Sequence, residues 1–210
     1  MAPTTIQRML ARLVKASFLR KAKGIENIPK DKAFILAANH NSYIDHMIIN
    51  AVAILHLNKM VSFLAKKEHF EGGFQRQWHV WFRAIPIDRQ AGGKEALKKA
   101  IKHLRKGGLI GIYPEGTRSS TGKIQRGKTG VARLAVFAKV PVIPVGIKGT
   151  FDILPKGKLI PKPKRAEMSI GKPIYLDKYY GQEENRKVIR RITDNIMKEI
   201  ARLSKQKYNF

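Results

Sequence analysis

Apolar residues along the chain form short continuous runs that alternate with segments of helical periodicity. The continuous runs predict strands at residues 33–37, 60–65, 84–87, 109–113, 140–147 and 167–170. Helical patterns occupy residues 45–57, 94–105 and 130–138 between several of these runs. Because strands that are apolar throughout must be covered on both faces, the order predicts an α/β fold with a mostly parallel mixed sheet covered by helices.

Both ends of the chain carry amphipathic helical patterns. A closing helix is predicted with Glu183 and Glu184 in its first turn and lysines near its end, an order that suits the helix macrodipole. Its apolar stripe is Val188, Ile192, Ile196, Ile200 and Leu203. The stripe of the N-terminal helix is Ile6, Met9, Leu10, Leu13, Val14 and Phe18.

The N-terminal helix is basic on its other faces, and the first acidic residue of the chain is Glu26. A basic amphipathic helix suits the interface of a bilayer. It suits equally well a terminal helix packed on the core, and the acid-poor composition also matches a mitochondrial presequence. The pattern alone leaves these alternatives open.

Composition narrows the classes of partner. The 210 residues include 42 Lys and Arg against 15 Asp and Glu, a formal charge of +27. This excess favours a polyanionic partner, either nucleic acid, an anionic membrane surface or a phosphorylated substrate. A hydrophobic content of 43% excludes wholesale disorder, and the lack of Cys excludes disulfides, a thiolate nucleophile and Cys-ligated metal.

Two further segments of the chain bear on contact with membrane or with solvent. The longest apolar run, residues 47–57, is shorter than the roughly 20 residues of a membrane span and predicts a buried helix. We find no secretory signal and expect no membrane-spanning segment. Residues 154–165 are rich in Pro and Lys, and the pattern favours a solvated loop.

The first candidate for chemistry is the pair His40 and Asp45, which follows the first predicted strand. A carboxylate on one ring nitrogen fixes the tautomer of a histidine, so that the other nitrogen acts as a base. On one regular helix, residues five apart point about 140° away from each other. The two side chains therefore pair only if His40 lies on the loop and Asp45 opens the helix.

Two further strand ends carry charged pairs. Glu115 and Arg118 follow the run 109–113, with Gly116 between them to permit an unusual turn, and Asp88 and Arg89 follow the run 84–87. Arginine suits bidentate recognition of phosphate. Singly, each pair resembles an ordinary surface ion pair. Together with the His–Asp pair they indicate a site, because ligands of open α/β sheets bind outside the carboxyl ends of the strands.

Residues 122–129 match the phosphate-loop expression G-x-x-x-x-G-K-T literally. A true phosphate loop leaves a strand directly, whereas here polar residues separate the match from the run 109–113. Nucleotide hydrolysis is therefore disfavoured. The segment 127–130, with Lys128, stays a candidate for anion binding at a helix N-terminus.

The order of these motifs resembles the glycerolipid acyltransferase family, of the lysophosphatidic acid (1-acylglycerol-3-phosphate) acyltransferase type. His40 and Asp45 match its H-x-x-x-x-D motif, and residues 113–118 contain its P-E-G-T-R motif. Residues 84–89 resemble its second motif, with Ala84 where the family has Gly, and residues 140–145 match V-P-V-I-P-V. The likeness runs from about residue 24 to 172, and four motifs in order are far more specific than one.

The resemblance implies transfer of a fatty acyl group from acyl-CoA or acyl carrier protein to the hydroxyl of a lysophospholipid. The favoured acceptor is 1-acylglycerol-3-phosphate, giving phosphatidic acid, with another glycerophosphate or lysolipid as the alternative. His40 would be the general base and Asp45 would orient it, with no metal, cofactor or covalent intermediate. The residues implied on the acceptor side are Arg89, Glu115, Gly116, Thr117, Arg118 and Lys128.

These expectations divide the chain into a basic interfacial helix, residues 1–23, and an acyltransferase catalytic domain, residues 24–210. We expect a cytoplasmic enzyme bound peripherally to an anionic membrane surface. A non-catalytic protein that binds lipid or nucleic acid is the rival class. Nucleic acid is not expected, because interleaved aromatics for base stacking and a basic reading helix are missing.

Overall fold

A computed structural model of the protein describes residues 2–87 and 94–210. The helices are α1 (Thr5–Phe18), α2 (Ile44–Leu57), α3 (Gly73–Trp81), α4 (Lys94–Arg105), α5 (Gly130–Ala138), α6 (Thr150–Ile153) and α7 (Arg186–Ser204). The strands are β1 (Leu19–Lys23), β2 (Ile35–Ala38), β3 (Val61–Lys66), β4 (Ile85–Ile87), β5 (Leu109–Ile112), β6 (Val142–Lys148) and β7 (Ala166–Ile170). Short 3-10 turns lie at Ile25–Asn27, Lys67–Phe70 and Asp177–Tyr179.

The strands form one seven-stranded sheet in the order β1-β7-β6-β2-β5-β3-β4. Strands β6, β2, β5, β3 and β4 run parallel to one another, whereas β7 is antiparallel to β6 and β1 is parallel to β7. The mostly parallel mixed sheet predicted from the sequence is confirmed. The carboxyl ends of the five parallel strands share one edge, which we call the carboxyl edge.

Helices cover both faces of the sheet, and strand β2 shows why its residues are apolar without interruption. Leu36 and Ala38 belong to the core that packs under α1 and α2. Ile35 and Ala37 point to the other face and belong to the core under α4, α5 and α7. Successive side chains alternate between faces, so a strand covered on both sides loses the polar positions of a half-exposed one.

The six predicted strands are all present, with ends that shift by no more than two residues. Strand β1, helix α3 and helix α6 were not predicted. In β1 only Leu19 is buried, because the strand lies at the edge of the sheet and its basic side chains face solvent. Residues 19–23 thus belong to the sheet, although the predicted domain boundary after residue 23 groups them with the N-terminal helix.

Helix α7 starts later than predicted. Asn185 caps it, and its side chain accepts hydrogen bonds from the backbone N–H groups of Lys187 and Val188, each at 3.2 Å. The placement of Glu183 and Glu184 in the first turn is therefore wrong, since both precede this cap. The side chains that the helix buries in the core include Ile189, Ile192, Ile196, Met197 and Ile200.

Helix α1 opens with a capping box of Thr4 and Gln7 and packs against α2. It buries Gln7, Ala11 and Val14. Most of its predicted apolar stripe faces solvent instead: Ile6, Met9, Leu10 and Leu13 are 64%, 62%, 40% and 60% exposed. The helix thus has two apolar faces, a small one on the core and a larger one outside. Within residues 2–87 and 94–210, no helix is long and apolar enough to cross a bilayer.

Candidate active site

The loop after β2 is fixed to the end of β6 by a buried asparagine. The side chain of Asn39 donates to the carbonyl of Ile147 and accepts from its N–H, both at 2.8 Å. By pairing with both the N–H and the C=O of Ile147, the Asn39 side chain takes the place of a backbone group in a neighbouring strand. His40 therefore leaves the carboxyl edge at a defined position.

The backbone of His40 is held from both sides by the loop that follows β5. Its N–H donates to Oε1 of Glu115 at 2.8 Å. Its carbonyl accepts the N–H of Ser119, also at 2.8 Å. The loop that carries the P-E-G-T-R motif thus positions His40 through contacts with its main chain.

The side chain of His40 pairs with the carboxylate of Asp45, Nδ1 to Oδ2, at 2.8 Å. The same oxygen accepts the backbone N–H groups of Asn41 and Ser42 at 2.8 Å each. His40 lies on the loop and the fully buried Asp45 lies in the first turn of α2, as the spacing requires. Because Nδ1 faces a carboxylate, Nε2 is the ring nitrogen left to accept a proton.

An aromatic wall supports the imidazole. The ring of Tyr113 stacks on that of His40, with centroids 3.8 Å apart and planes inclined by 7°. Phe63 stacks on the other side of Tyr113 at 5.2 Å. Burial raises the pKa of Tyr113 well above its usual value, so the phenol stays neutral at physiological pH. Stacking fixes the plane of the imidazole, while Asp45 fixes its rotation within that plane.

Glu115 is buried and both its oxygens accept hydrogen bonds from protein groups. Besides the His40 N–H on Oε1, Oε2 accepts the backbone N–H of Gln125 at 3.0 Å and its side-chain amide at 3.1 Å. Burial raises the pKa of Glu115 to about 7, against the effect of these donors, which favour the carboxylate. The carboxyl group joins the His40 loop to the segment before α5.

Arg118 lies over the ring of Tyr43, with its guanidinium carbon 3.4 Å from the ring centroid. Its Nη1 atom is buried and has no hydrogen-bond partner among the residues that the structure describes. Burying a charged donor without a partner is costly unless a ligand supplies the acceptor. Arg118 is therefore a candidate for binding an anion.

Gly116 adopts a left-handed conformation with φ of 77°, in which a side chain is strained. A Cβ atom at this position would come within 3.0 Å of the Nζ atom of Lys128, so the lysine lies directly over the glycine. Thr117 is exposed beside them. The structure thus brings four predicted acceptor-side residues, Gly116, Thr117, Arg118 and Lys128, into one loop, whereas Arg89 falls outside the described residues.

The segment 122–129 is irregular and does not leave a strand directly, since β5 ends at Ile112. The backbone N–H of Lys128 donates to the carbonyl of Pro114 at 2.7 Å, which ties it to the P-E-G-T-R turn. The prediction that this match does not leave a strand directly, as a phosphate loop does, is confirmed.

A second histidine lies beside the catalytic candidates. His46 contacts Phe63 and Phe82 edge-on, with ring centroids 6.1 Å and 5.6 Å away. Desolvation, and next the neighbouring His40, lower the pKa of His46 to about 4, so it is neutral at pH 7. Within the described residues, no three His, Cys, Asp or Glu side chains cluster in a way that could hold a metal ion.

Sequence reasoning gave no role to Asn39, Ser119, Gln125 or to the rings of Tyr43 and Tyr113. Asn39 carried a usable signal, because a polar residue directly after a continuous apolar run must find partners at the strand end. Gln125 and Ser119 lie in polar loop sequence that shows no periodicity. Their contacts exist only because the fold brings distant loops together.

The known proteins that this chain is similar to are acyltransferases. The sequence profile of the Acyltransferase family matches residues 20–148. A 1-acyl-sn-glycerol-3-phosphate acyltransferase of Bacillus subtilis (strain 168) is 32% identical over 154 residues, which cover 71% of this chain and 71% of that protein. A chloroplastic 1-acyl-sn-glycerol-3-phosphate acyltransferase of Brassica napus is 29% identical over 157 residues, which cover 73% of this chain and only 44% of the longer plant protein.

Among solved structures, the crystal structure of the 1-acyl-sn-glycerophosphate (LPA) acyltransferase PlsC from Thermotoga maritima superposes with a TM-score of 0.71 at 28% identity. The match covers 98% of this chain and 82% of that one. Profile, relatives and fold therefore agree with one another, and the chain belongs to the acyltransferase family.

Proposed function

We propose that the protein transfers a fatty acyl group from an acyl thioester to the free hydroxyl of 1-acyl-sn-glycerol-3-phosphate, giving phosphatidic acid. The observation that carries the proposal is the His40–Asp45 pair, held at 2.8 Å on the carboxyl edge beside an arginine with a buried, unpartnered nitrogen. Relatives from Bacillus subtilis and Brassica napus bear the name of this activity.

In this mechanism, Nε2 of His40 takes the proton of the acceptor hydroxyl as its oxygen attacks the thioester carbonyl. A C–O bond forms, the C–S bond breaks, and the proton passes from the imidazolium to the departing thiolate. Asp45 stabilises the positive charge that His40 holds between these steps. General-base help of this kind contributes roughly 10²–10⁴-fold to the rate.

The acceptor phosphate would bind on the side of the site that Arg118 and Lys128 line. Arg118 offers a buried nitrogen without a partner among the described residues, and Lys128 adds a second cation over Gly116. Thr117 and Arg89 complete the set that the family resemblance implies. Glu115 belongs to this loop as a positioning residue, since its oxygens are engaged by His40 and Gln125.

We propose only that the acyl donor is a thioester. Both acyl-CoA and acyl carrier protein present the same thioester, and attack by an activated hydroxyl proceeds without metal or cofactor. An acceptor with a different glycerophosphate or lysolipid headgroup is the alternative within the family.

Because the acceptor and product carry long acyl chains, we propose that the enzyme meets them as a peripheral protein on the cytoplasmic, anionic face of a membrane. Helix α1 supports this proposal, because Ile6, Met9, Leu10 and Leu13 are exposed on it among basic residues. Cations near an anionic leaflet contribute about 1 kcal/mol each and are screened by salt, whereas apolar insertion is not. In this view residues 1–23 attach the catalytic domain, residues 24–210, to the membrane.

The deciding experiment is a panel of acyl acceptors offered with both thioester donors. We expect phosphatidic acid from 1-acylglycerol-3-phosphate, with one thiol released for each acyl group transferred. Turnover separates the proposal from a non-catalytic protein that binds lipid or nucleic acid. Transfer to another lysolipid with none to 1-acylglycerol-3-phosphate would contradict the proposed acceptor.

A further inference from the structure

The loop of residues 154–165, between α6 and β7, presents two adjacent large aliphatic side chains to solvent. Leu159 is 90% exposed and Ile160 is 84% exposed, more than the other large apolar side chains in the described part of the chain. Adjacent aliphatic side chains this open to water indicate a binding surface rather than ordinary surface variation.

The same loop is basic and contains no acidic residue. Its cations are all exposed: Lys156, Lys158, Lys162, Lys164 and Arg165. The loop therefore combines an apolar tip with positive charge on both sides of it. Such a pattern matches an anionic lipid surface, which offers phosphate groups above a hydrocarbon layer.

The 154–165 loop is anchored to the catalytic loop. The hydroxyl of Ser42, which lies between His40 and Asp45, donates to the carbonyl of Leu154 at 2.7 Å. The N–H of Lys162 donates to the carbonyl of Ile153 at 2.8 Å and closes the loop at its base. The apolar pair is thus carried at the carboxyl edge, where His40 lies.

The loop also meets the end of helix α1. Its last residue precedes Ala166, which pairs with Leu19, the residue that follows α1. Strand β7 runs antiparallel to β6, so this junction lies at the carboxyl edge as well. The C-terminal end of α1 and the 154–165 loop therefore meet at the edge that carries the site, whereas Arg8, near the start of α1, bonds Asn58 between α2 and β3 at the opposite edge.

We propose that the 154–165 loop is a second membrane contact, in which Leu159 and Ile160 enter an anionic leaflet while the flanking cations bind lipid phosphates. The inference rests on the proposed function and deepens it. With this loop on the leaflet, the His40 edge faces the membrane, so a lysophospholipid reaches the site without leaving the interface. Helix α1 alone would attach the enzyme without fixing which edge of the sheet faces the lipid.

The absence of cysteine in the sequence permits a direct test. Leu159→Cys carries a single environment-sensitive fluorophore, and Tyr175→Cys carries the same label as a control. Tyr175 is also exposed, but it follows the Ile174 bridge to Val142 at the opposite, amino edge of the sheet. We expect phosphatidylglycerol vesicles to shift the emission of the Leu159→Cys label to the blue, with quenching by acyl-chain spin labels, while the control label is unchanged.

Equal emission from both labelled positions, or no change at position 159, would overturn the inference. A shift caused by an acidic carrier protein or by RNA in the absence of lipid, with none on vesicles, would also overturn it and assign the loop to that partner. Helix α1 is intact in both labelled proteins, so attachment through that helix alone does not produce the expected difference.

A functional test uses the double variant Leu159→Ser and Ile160→Ser, with Tyr175→Ser as the matched control. Loss of two aliphatic contacts should lower kcat/KM on vesicle-borne acceptor by about tenfold or more. Activity on a short-chain, water-soluble acceptor should be unchanged, which also shows that the variant is folded. If wild-type protein acylates neither acceptor, the proposed function is wrong. If it acylates both and the double variant matches it on vesicles, only the loop inference is wrong.

Discussion

The two sides of the candidate site differ in whether protein groups hydrogen-bond to the side chain proposed to act on substrate. On the base side, the imidazole of His40 pairs with Oδ2 of Asp45 and both main-chain groups of His40 are paired, although the buried Oδ1 of Asp45 has no partner among the described residues. On the acceptor side, the buried Nη1 of Arg118 has no partner in the described part of the protein. The contrast indicates that the base is organised before substrate arrives, whereas the anion subsite is completed by the ligand.

Removal of the base should give the largest effect. We expect His40→Ala to lower kcat by about 10³-fold while the fold is kept, because general-base catalysis is lost and the side chain is not a core element. Turnover with saturating donor and acceptor measures the effect, and circular dichroism checks the fold. A folded variant that keeps more than a tenth of wild-type turnover would show that His40 is not the base.

Disrupting the orientation of His40 should lower kcat somewhat less than removing it. In Asp45→Asn the amide favours the wrong tautomer of His40, so we expect a loss of about 10²–10³-fold in kcat. Asp152→Asn is a matched control, since Asp152 is also in the first turn of a helix but is exposed. If the two variants have similar activity, the 2.8 Å contact between Asp45 and His40 is not functional.

The buried carboxyl group of Glu115 should make the stability of the protein depend on pH. The pKa of Glu115 rises from 4.5 in the unfolded chain to about 7 in the fold, so between these values only the folded protein keeps the proton. The stabilisation is fully present below pH 4.5 and is lost as pH rises to about 7, by up to about 3 kcal/mol.

Denaturant unfolding of wild type and Glu115→Gln across this range measures the effect, because the amide does not titrate. We expect the free energy of unfolding of wild type, relative to the variant, to fall as pH rises through the window. A difference between the two proteins that is constant with pH would contradict a raised pKa at Glu115.

A change on the acceptor side should have a smaller effect on kinetics, confined to one of the two substrates. We expect Arg118→Ala to raise KM for phosphorylated acceptor about 30-fold, the cost of a charge-assisted hydrogen bond, with little change in KM for the thioester. Arg126→Ala in the same loop, where the side chain is exposed, is the control. An effect confined to the thioester would move Arg118 to the donor side of the site.

Sequence patterns predicted the interior of the sheet because burial on both faces leaves β2, β5 and β6 without polar positions. Strand β1 escaped prediction since an edge strand with one buried residue resembles a basic linker. The start of α7 shifted because the cap of Asn185 is stronger evidence for a helix start than acids placed before it.

The same limit applies to the site. The placement of His40 and Asp45 followed from local spacing after a strand, a relation within six residues of sequence. The contacts of Asn39 with Ile147 and of Glu115 with His40 span 108 and 75 positions. Such contacts depend on the register between strands, which no local pattern encodes.

The positive charges of this site rest on aromatic faces. Arg118 lies over Tyr43, and the ring of His40, the proposed base, stacks on Tyr113. The quadrupole of a neutral ring attracts a cation without cancelling its charge, unlike a carboxylate partner. The cation–π contact at Arg118 therefore holds the guanidinium in place without neutralising it, and the proposed phosphate headgroup would meet a positive charge that forms no ion pair within the described residues.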